Sequence, residues 1–367
     1  MHLKNKIAFI DLSYQKGGTQ KTVLYHILNF QKLEGYIFAR KRSIFSKFAD
    51  EIQKHGFNPI LTSNDIPFTR SKRILMMKFI SPKQIYLHIS LLNFIRKNLH
   101  PDIRLIVGSA LFSNLYAYLL SHLKGIKFIA HLDDSDLISQ KKLFVVKHAK
   151  NIVVVSNFLK NKLLNMGLSE DKIHVIYPPL HNIPDIEYTH HSTPTIGFIG
   201  RLTPEKGVHI FLEILEKRRD LHGVIAGDLP EDTAKEHMNI KHKITRLQKE
   251  GRVEYLGYTH ELKDVFRKIN ILLYPSLAQE GFGRTIIETL SAGIPVIGSR
   301  MGAIPEVLEG IPHTVTVLPT VENFINAIDL LLSQKIKPEE IRSSTLHKFS
   351  PKKSSSKFER LLMNHLN

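Results

Sequence analysis

Short runs of apolar residues alternate with longer stretches of helical periodicity along the whole chain. Each run has the length of a buried strand and is bounded by polar or glycine-containing segments. Strands that are separated by helices need crossover connections, which give parallel sheets covered on both faces. The predicted strands are Ile7–Leu12, Tyr36–Ala39, Asn58–Leu61, Ile103–Val107, Lys127–His131, Ile152–Val155, Ile173–Ile176, Thr195–Ile199, Gly223–Ala226, Val253–Leu256, Ile271–Leu273, Pro295–Ile297 and Thr314–Val317.

A polar, proline-bearing segment of weak periodicity, His181 to Pro194, divides these strands into two series. We therefore predict an α/β protein with one Rossmann-like domain at residues 1–182, a linker at 183–194 and a second Rossmann-like domain at 195–348, the two facing one cleft. The tail at 349–367 has a helix-start signal followed by an amphipathic pattern, which predicts a last helix.

The amino-acid composition indicates in which cellular compartment the protein is located. The 367 residues suffice for two domains, each with its own core. The absence of cysteine excludes disulfides and a thiolate nucleophile, and it fits a reducing compartment. The apolar run after Met1 is too short for a signal peptide, and no stretch approaches the roughly 20 apolar residues of a transmembrane helix. We expect a cytoplasmic location.

The positive charge lies almost entirely in the first half of the chain. The net charge is +17; residues 1–180 hold 27 Lys and Arg against 11 Asp and Glu, whereas residues 181–367 hold 24 against 23. A basic proteome would affect both halves, so this asymmetry indicates an anionic partner for the first domain: a nucleic acid, a membrane surface or a charged substrate.

The segment Glu280-Gly-Phe-Gly-Arg-Thr-Ile-Ile-Glu288 carries a loop carboxylate, a glycine-bracketed turn and a second carboxylate two turns into a predicted helix. Such a combination can bind a polyhydroxylated, phosphorylated ligand. The alternative is an ordinary surface helix in which Glu288 pairs with Arg284 one turn earlier. Two roles are thus open for Arg284: it either contacts phosphates or pairs with Glu288.

Three further motifs occur upstream in a fixed order. They are the strand-turn Thr195-Ile-Gly-Phe-Ile-Gly200-Arg201-Leu-Thr-Pro-Glu-Lys206-Gly207, the Ala-Gly-Asp element ending at Asp228, and the Tyr-Leu-Gly strand end at 255–257. With the paired glutamates, this order and approximate spacing resemble the retaining GT-B glycosyltransferases of glycosyl transferases group 1 (family four). The resemblance covers nearly the whole chain and is most specific in the second half. It also implies that the last helix crosses back to the first domain.

The resemblance assigns roles to the donor-site residues. Arg201 and Lys206 contact the diphosphate of a nucleotide sugar such as a UDP- or GDP-hexose, and they stabilise the negative charge that grows on it. A solvated basic loop is the alternative, but two cations at a helix start oppose the helix dipole. Glu288 accepts from the ribose hydroxyls. Glu280 addresses the hydroxyls of the transferred sugar, together with the amides of Gly281, Phe282 and Gly283.

The resemblance also points to two places in the first domain. Gly17 and Gly18, between the first strand and a helix, let the backbone approach the phosphates and the acceptor, although any strand-to-helix turn can use glycine. The loop lacks the full G-x-G-x-x-G fingerprint, so a dinucleotide cofactor is not expected. His131, at the end of a strand, would face the donor sugar; a structural histidine is the alternative.

The acidic residues after His131 suggest a different chemistry. Asp133, Asp134 and Asp136 superficially resemble the metal-binding motif of the other major glycosyltransferase fold. Helix capping is the more common use of such residues, and the rest of the chain does not match that fold. We predict no catalytic metal and no cofactor, with the nucleotide sugar as a substrate.

The chain departs from the family pattern in three places. Tyr177-Pro-Pro-Leu-His181 replaces the common Asn-Gly-Val-Asp, Gly302-Ala303 replaces a double glycine, and Glu309-Gly-Ile-Pro-His313 replaces an Asp-Gly-x-x-Gly loop. These changes leave the donor and acceptor undefined, but they do not alter the class.

The run from Arg70 to Lys83 mixes cations with apolar residues and is suited to an anionic membrane surface, where each cation contributes about 1 kcal/mol. The run from Ile85 to Ile95 is expected to form a helix packed on the sheet. We hypothesise that the first domain docks on the cytoplasmic membrane face and accepts a lipid-linked or membrane-growing glycan.

The predicted activity is retaining, metal-independent transfer of a hexosyl group to a glycan or lipid-linked acceptor. A GT-B-fold sugar-nucleotide epimerase would use the same donor half and is the main alternative. A basic nucleic-acid-binding protein is less favoured, because the chain shows no interleaving of aromatic and basic residues and no recognised module.

Overall fold

The structure is a computed structural model that describes residues 5–13, 18–62, 82–134, 140–181, 186, 188, 192–230, 234–259 and 261–366. The chain forms two compact units. Unit 1 contains Met1–Pro179 and Pro351–Asn367, and unit 2 contains Leu180–Ser350. The last helix of the chain is therefore part of unit 1.

Each unit is built on one parallel sheet. The sheet of unit 1 has the order β3-β2-β1-β4-β5-β6-β7, and the sheet of unit 2 has the order β10-β9-β8-β11-β12-β13. The strands are β1 (Asn5–Asp11), β2 (Leu33–Arg40), β3 (Phe57–Thr62), β4 (Leu105–Ser109), β5 (Lys127–Leu132), β6 (Asn151–Val154), β7 (Ile173–Val175), β8 (Thr195–Ile199), β9 (His222–Ala226), β10 (Val253–Tyr255), β11 (Ile271–Tyr274), β12 (Val296–Ser299) and β13 (Thr314–Val317).

Helices connect the strands and cover the sheets. They are α1 (Gly18–Ile27), α2 (Ile44–Lys47), α3 (Ala49–Lys54), α4 (Pro82–Asn98), α5 (Leu111–Lys124), α6 (Gln140–Lys147), α7 (Asn157–Leu164), α8 (Val208–Lys217), α9 (Lys235–Lys249), α10 (Leu262–Phe266), α11 (Arg284–Ser291), α12 (Ile304–Leu308), α13 (Val321–Leu332), α14 (Pro338–Lys348) and α15 (Pro351–Met363). Short 3-10 turns lie at Glu170–Lys172 and Pro204–Lys206.

The predicted fold class, two Rossmann-like domains with parallel sheets, is confirmed. All thirteen predicted strands are present, with ends that differ by at most three residues. In both sheets the order reverses beside the first strand, between β1 and β4 in unit 1 and between β8 and β11 in unit 2. The carboxyl ends of the strands at such a reversal are the usual ligand site of this architecture.

One prediction about α4 is only half right. Leu91 and Ile95 are buried, as a helix packed on the sheet requires, but Ile85, Tyr86 and Ile89 are exposed. The apolar residues of this run occupy both sides of the helix, because their spacing is denser than one 3.6-residue stripe. In the described residues, no helix is long and apolar enough to cross a membrane. Most of the basic run from Arg70 to Lys83 lies outside the described residues.

The last helix completes the core of unit 1. Phe358 of α15 is fully buried and contacts Phe9 and Phe30 with ring centroids 6.3 and 5.9 Å apart. Glu359 is also buried. One of its carboxylate oxygens accepts hydrogen bonds from three consecutive backbone amides at the start of β2, those of Gln31, Lys32 and Leu33, at 2.8, 2.6 and 3.2 Å. α15 is therefore attached to unit 1 by apolar packing and by a charged cap.

Replacing Glu359 with alanine should destabilise unit 1 by about 2–4 kcal/mol, because three backbone amides lose a charged acceptor. Urea unfolding followed by a fluorescent label on unit 1 measures this change. Glu322→Ala is the matched control, since Glu322 pairs with Lys217 at 2.7 Å on an exposed surface of unit 2 and should contribute little. Equal midpoints for the two variants would contradict the assigned role of Glu359.

Candidate active site

The carboxyl ends of β8 and β11 lie side by side in unit 2, and the loops that follow them contact each other. The first loop, 200–207, ends in the 3-10 turn at Pro204–Lys206, and the second, 275–283, leads into α11. The carbonyl of Glu205 accepts hydrogen bonds from the amides of Leu277 and Ala278 at 2.8 and 3.1 Å. These bonds fix the cationic loop against the loop that carries Glu280.

Gly207 permits this close approach. Its φ is +75°, and a Cβ at this position would lie 1.9 Å from the carbonyl oxygen of Pro275. A side chain is therefore excluded both by the left-handed backbone and by the space available. Glycine is therefore required at position 207 because the backbone there lies against Pro275, and this close approach places Lys206 beside the second loop.

Gly207→Ala should destabilise unit 2 by about 2–5 kcal/mol, the sum of left-handed strain and overpacking. Gly251→Ala is a matched control, because Gly251 has a similar φ of +67° but open space at the Cβ position; it should cost only about 1–2 kcal/mol. Thermal unfolding of both variants gives the comparison. If the two substitutions cost the same, the contact with Pro275 is not a constraint.

Glu280 is the centre of a hydrogen-bond network between the two loops. Its carboxylate accepts from the Lys206 ammonium at 2.6 Å and from the Ser276 hydroxyl at 2.6 Å. The Lys206 and Glu280 side chains are 20% and 12% exposed, so the ion pair is screened less than a surface pair. The structure therefore places the predicted Lys206 and Glu280 in direct contact.

Tyr274, the last residue of β11, belongs to the same network. Its hydroxyl is hydrogen-bonded to Glu280, and burial, followed by the negative charge of Glu280, raises the pKa of Tyr274 well above its usual value. The phenol is therefore protonated at neutral pH and donates to the carboxylate. Arg201 lies close enough to oppose this shift.

The backbone of Glu280 is fixed by a third loop. The amide of Ala303 donates to the Glu280 carbonyl at 2.9 Å. Gly302 has a φ of +61°, and a Cβ there would lie 2.3 Å from the same carbonyl oxygen. The Gly302-Ala303 pair, a departure from the family pattern, thus retains glycine at the position where the backbone contact requires it.

The start of α11 carries the remaining predicted residues. Gly283 precedes the helix with a φ of +93°, and the Phe282 ring is buried edge-on against Phe349, with centroids 5.6 Å apart. Arg284 pairs with Glu288 one turn later at 3.2 Å, and both side chains are largely buried. Of the two roles open for Arg284, the structure shows the pairing.

Arg201 differs from the other cations of the site. It follows Gly200 at the end of β8 and is exposed. Within the part of unit 2 that the structure describes, its guanidinium forms no ion pair with a carboxylate. Its planar donors are thus available for a phosphate, whereas the charge of Lys206 is matched by Glu280.

The residues predicted in unit 1 have a different setting. Gly18 begins α1, whereas Gly17 lies outside the described residues. His131 is fully buried near the end of β5 and stacks on Phe358 with ring centroids 6.0 Å apart. Burial lowers the pKa of His131 to about 4, so the ring is neutral at pH 7. The contact of His131 with a donor sugar stays a prediction. In this structure the ring packs as a core residue of unit 1.

The acidic residues after β5 are the ones that resemble a metal-binding motif in the sequence. Asp133 and Asp134 are described, and Asp136 is not. Over the described ranges, no three or more His, Asp or Glu side chains are grouped in a way that could hold a metal ion.

Sequence reasoning missed Tyr274 and Ser276, and it noted Gly302 only as part of a departure from the family pattern. Tyr274 and Ser276 flank Pro275 directly after β11, at the edge of the sheet where site residues of this architecture lie. Their position relative to that strand was the available signal.

The fold is that of the GT-B glycosyltransferases. The crystal structure of HepE from Anabaena with UDP and glucose superposes with a TM-score of 0.78, at 18% identity, over 98% of this chain and 99% of that one. A glycosyltransferase from Rickettsia africae superposes with a TM-score of 0.78, at 20% identity, over the whole of both chains. At these identities the likeness establishes the fold.

Residues 193–334 match the family model described as Glycosyl transferases group 1. The predicted resemblance to glycosyl transferases group 1 is therefore confirmed over these residues of unit 2, and it supports the predicted enzyme class.

Two curated relatives illustrate the similarity. An uncharacterized 42.6 kDa protein in the cps region of Klebsiella pneumoniae is 30% identical over 179 residues, 48% of this chain and 45% of that protein. The gpi3 subunit of phosphatidylinositol N-acetylglucosaminyltransferase from Schizosaccharomyces pombe is 30% identical over 187 residues, 48% of this chain and 40% of that protein. The chain spans about half or less of the length of the curated relatives it matches.

Proposed function

We propose that the protein transfers a hexosyl group from a nucleotide sugar to a glycan or lipid-linked acceptor, with retention of anomeric configuration and without a catalytic metal. The observation that carries the proposal is the cluster at the carboxyl ends of β8 and β11. There, two cations and two carboxylates, Arg201, Lys206, Glu280 and Glu288, lie on loops that are fixed to one another.

Arg201 and Lys206 would stabilise the departing nucleoside diphosphate. As the bond between the anomeric carbon and the phosphate oxygen breaks, negative charge grows on the diphosphate. The Glu205 carbonyl bonds fix the loop of both cations before the reaction, so little reorganisation is needed. Because Lys206 is paired with Glu280 at 2.6 Å, movement of the ammonium toward a phosphate would leave the carboxylate free to accept from a sugar hydroxyl.

The two carboxylates would accept hydrogen bonds from the hydroxyl groups of the donor. Glu288, oriented by its pair with Arg284, would accept from the ribose. Glu280 would accept from the transferred sugar, beside the amides of the Gly281–Gly283 turn.

Retention follows when the acceptor attacks on the face from which the diphosphate leaves. The departing phosphate oxygen would take the proton of the acceptor hydroxyl while the new glycosidic bond forms, so the products are the glycoside and the protonated nucleoside diphosphate. No protein nucleophile is needed in this scheme, which leaves electrostatic stabilisation as the main contribution of the protein.

A UDP-hexose is the first donor to test, because the HepE structures contain UDP, glucose or UDP-glucose. A lipid-linked acceptor is favoured by the basic first half of the chain, and it would place the protein on the cytoplasmic face of a membrane. The Schizosaccharomyces pombe relative is named as part of a phosphatidylinositol N-acetylglucosaminyltransferase.

Incubation with a panel of UDP- and GDP-hexoses tests the proposal. The purified protein is supplied with membrane lipid extract and with a chelator, and the nucleotide and glycoside products are separated by mass. Release of nucleoside diphosphate with formation of an α-linked glycoside from an α-linked donor is the expected result. An isomerised sugar nucleotide would instead identify an epimerase, an inverted linkage would refute retention, and full loss of activity with chelator would refute metal independence.

A further inference from the structure

The outer surface of α5 carries a stripe of exposed leucines in unit 1. Leu115, Leu119 and Leu123 recur every four residues, so they lie along one side of the helix, and all three are exposed, Leu123 by 60%. Amphipathic helices of a globular domain normally turn such a stripe toward the core. In α5 the side that faces the core is already formed by Tyr116, Ala117 and Leu120, which are buried. The stripe of Leu115, Leu119 and Leu123 is therefore a second apolar side of the helix, and it faces outward.

The two helices that pack against α5 extend this surface. On α4, Ile85, Tyr86 and Ile89 are exposed beside His88, whose ring nitrogen is hydrogen-bonded to the hydroxyl of Tyr116 of α5 at 2.6 Å. On α6, Phe144 is 60% exposed and contacts Tyr118 of α5, with ring centroids 6.1 Å apart. These exposed apolar side chains lie on three helices that pack on one another, and we call their outer surface the α4–α6 face. Patches of this kind mark interaction sites.

The same three helices carry positive charge only. Their sequences contain no Asp or Glu. They contain seven cations: Lys83, Arg96, Lys97, Lys124, Lys141, Lys142 and Lys147. Lys124 ends the leucine stripe of α5, and Lys147 lies near the end of α6, so cations border the apolar patch.

We propose that the α4–α6 face docks on a bilayer that contains anionic phospholipid, with its apolar side chains between the headgroups and its cations at the phosphates. The proposal rests on the proposed function in that it brings unit 1 to a lipid-linked acceptor. Charge complementarity selects this partner. A second copy of the chain would oppose two faces of the same positive sign, and a nucleic acid would gain nothing from a stripe of leucines.

Vesicle flotation of the full chain tests the docking surface. The protein is mixed with vesicles of phosphatidylcholine and phosphatidylglycerol, or of phosphatidylcholine alone, in the absence of nucleotide sugar. The triple variant Tyr86→Ser, Leu123→Ser, Phe144→Ser removes large side chains that are mostly exposed. We expect at least about a tenfold loss of binding to the anionic vesicles, since three apolar contacts with the bilayer disappear, and weaker wild-type binding at high salt.

The matched control changes three exposed apolar residues of unit 2, Met238→Ser, Leu318→Ser and Leu330→Ser, and should bind as the wild type does. Circular dichroism shows whether each variant folds. Equal flotation of the two triple variants would overturn the proposal, as would equal wild-type binding to both kinds of vesicle. A wild-type dimer in light scattering that the Tyr86, Leu123 and Phe144 variant dissociates would assign the face to self-association instead. Donor binding, followed separately by thermal shift in the absence of vesicles, does not involve the α4–α6 face, so failure of the proposed transfer reaction is distinguishable.

Discussion

Replacing Arg201 or Lys206 with alanine should lower kcat by about a hundredfold to a thousandfold each, the usual effect of removing one preorganised group that stabilises developing charge. The two variants should differ in stability. Arg201 is exposed, so its loss should leave unfolding unchanged. Loss of Lys206 removes the partner of a largely buried carboxylate and should lower the melting temperature as well.

Steady-state kinetics with the donor identified by the panel, together with thermal unfolding, measures both effects. Arg201→Lys should recover part of the rate, because it restores the charge but not the planar fork. Lys243→Ala is the matched control, since Lys243 pairs with Glu216 on unit 2 at 2.9 Å away from the cluster. Rates close to that of the wild type in both the Arg201 and the Lys206 variants would refute the proposed site.

Glu280→Ala should lower kcat/KM by about a hundredfold or more, because a group that binds the transferred sugar and orients a cation is lost. The substitution also removes the acceptor shared by Lys206, Ser276 and Tyr274. Under the proposed mechanism, the side chain would therefore have two separable roles, toward the sugar and toward Lys206.

Donors that lack one sugar hydroxyl separate these roles. If Glu280 accepts from a given hydroxyl, the variant and the deoxy donor remove the same interaction, and their effects should not add. Full additivity for every deoxy donor would show that Glu280 acts only through Lys206. Tyr274→Phe is a useful companion, since it keeps the ring and removes the hydroxyl that is bonded to Glu280.

The sequence predicted the strands of both units because each is a short apolar run whose neighbours break the pattern. β8 and β12 are bounded by glycines or serines that end the strand. The charged site residues were also predicted, because Arg201, Lys206 and Glu280 occur in motifs whose order and spacing resemble the family pattern.

The contacts that hold these charged residues in place could not be predicted from the sequence. Ser276, Tyr274 and Gly302 acquire meaning only when β8, β11 and the loop after β12 are neighbours, and no local spacing encodes that arrangement. Gly302 is constrained by a carbonyl 22 positions earlier in the sequence, at Glu280. Polar residues that act through such long-range contacts resemble ordinary loop residues in the sequence.

The sequence also did not predict whether certain side chains are buried or exposed, and this concerns His131 and the leucines of α5. The environment of His131 depends on Phe358, which joins it from the far end of the chain. The outward leucines of α5 have the spacing of a core stripe, and periodicity alone cannot tell which of two apolar sides meets the sheet.

The return of α15 to unit 1 has a consequence for biosynthesis. Unit 1 begins the chain, yet Phe358 and Glu359 are made only after all of Leu180–Ser350. At ordinary elongation rates, about 10–30 s separate the two parts of unit 1 on the ribosome. During that interval the nascent first unit lacks the aromatic ring that fills its core and the carboxylate that caps the amides before β2. The second unit can therefore mature first, and the first unit can complete its core only after α15 has been made.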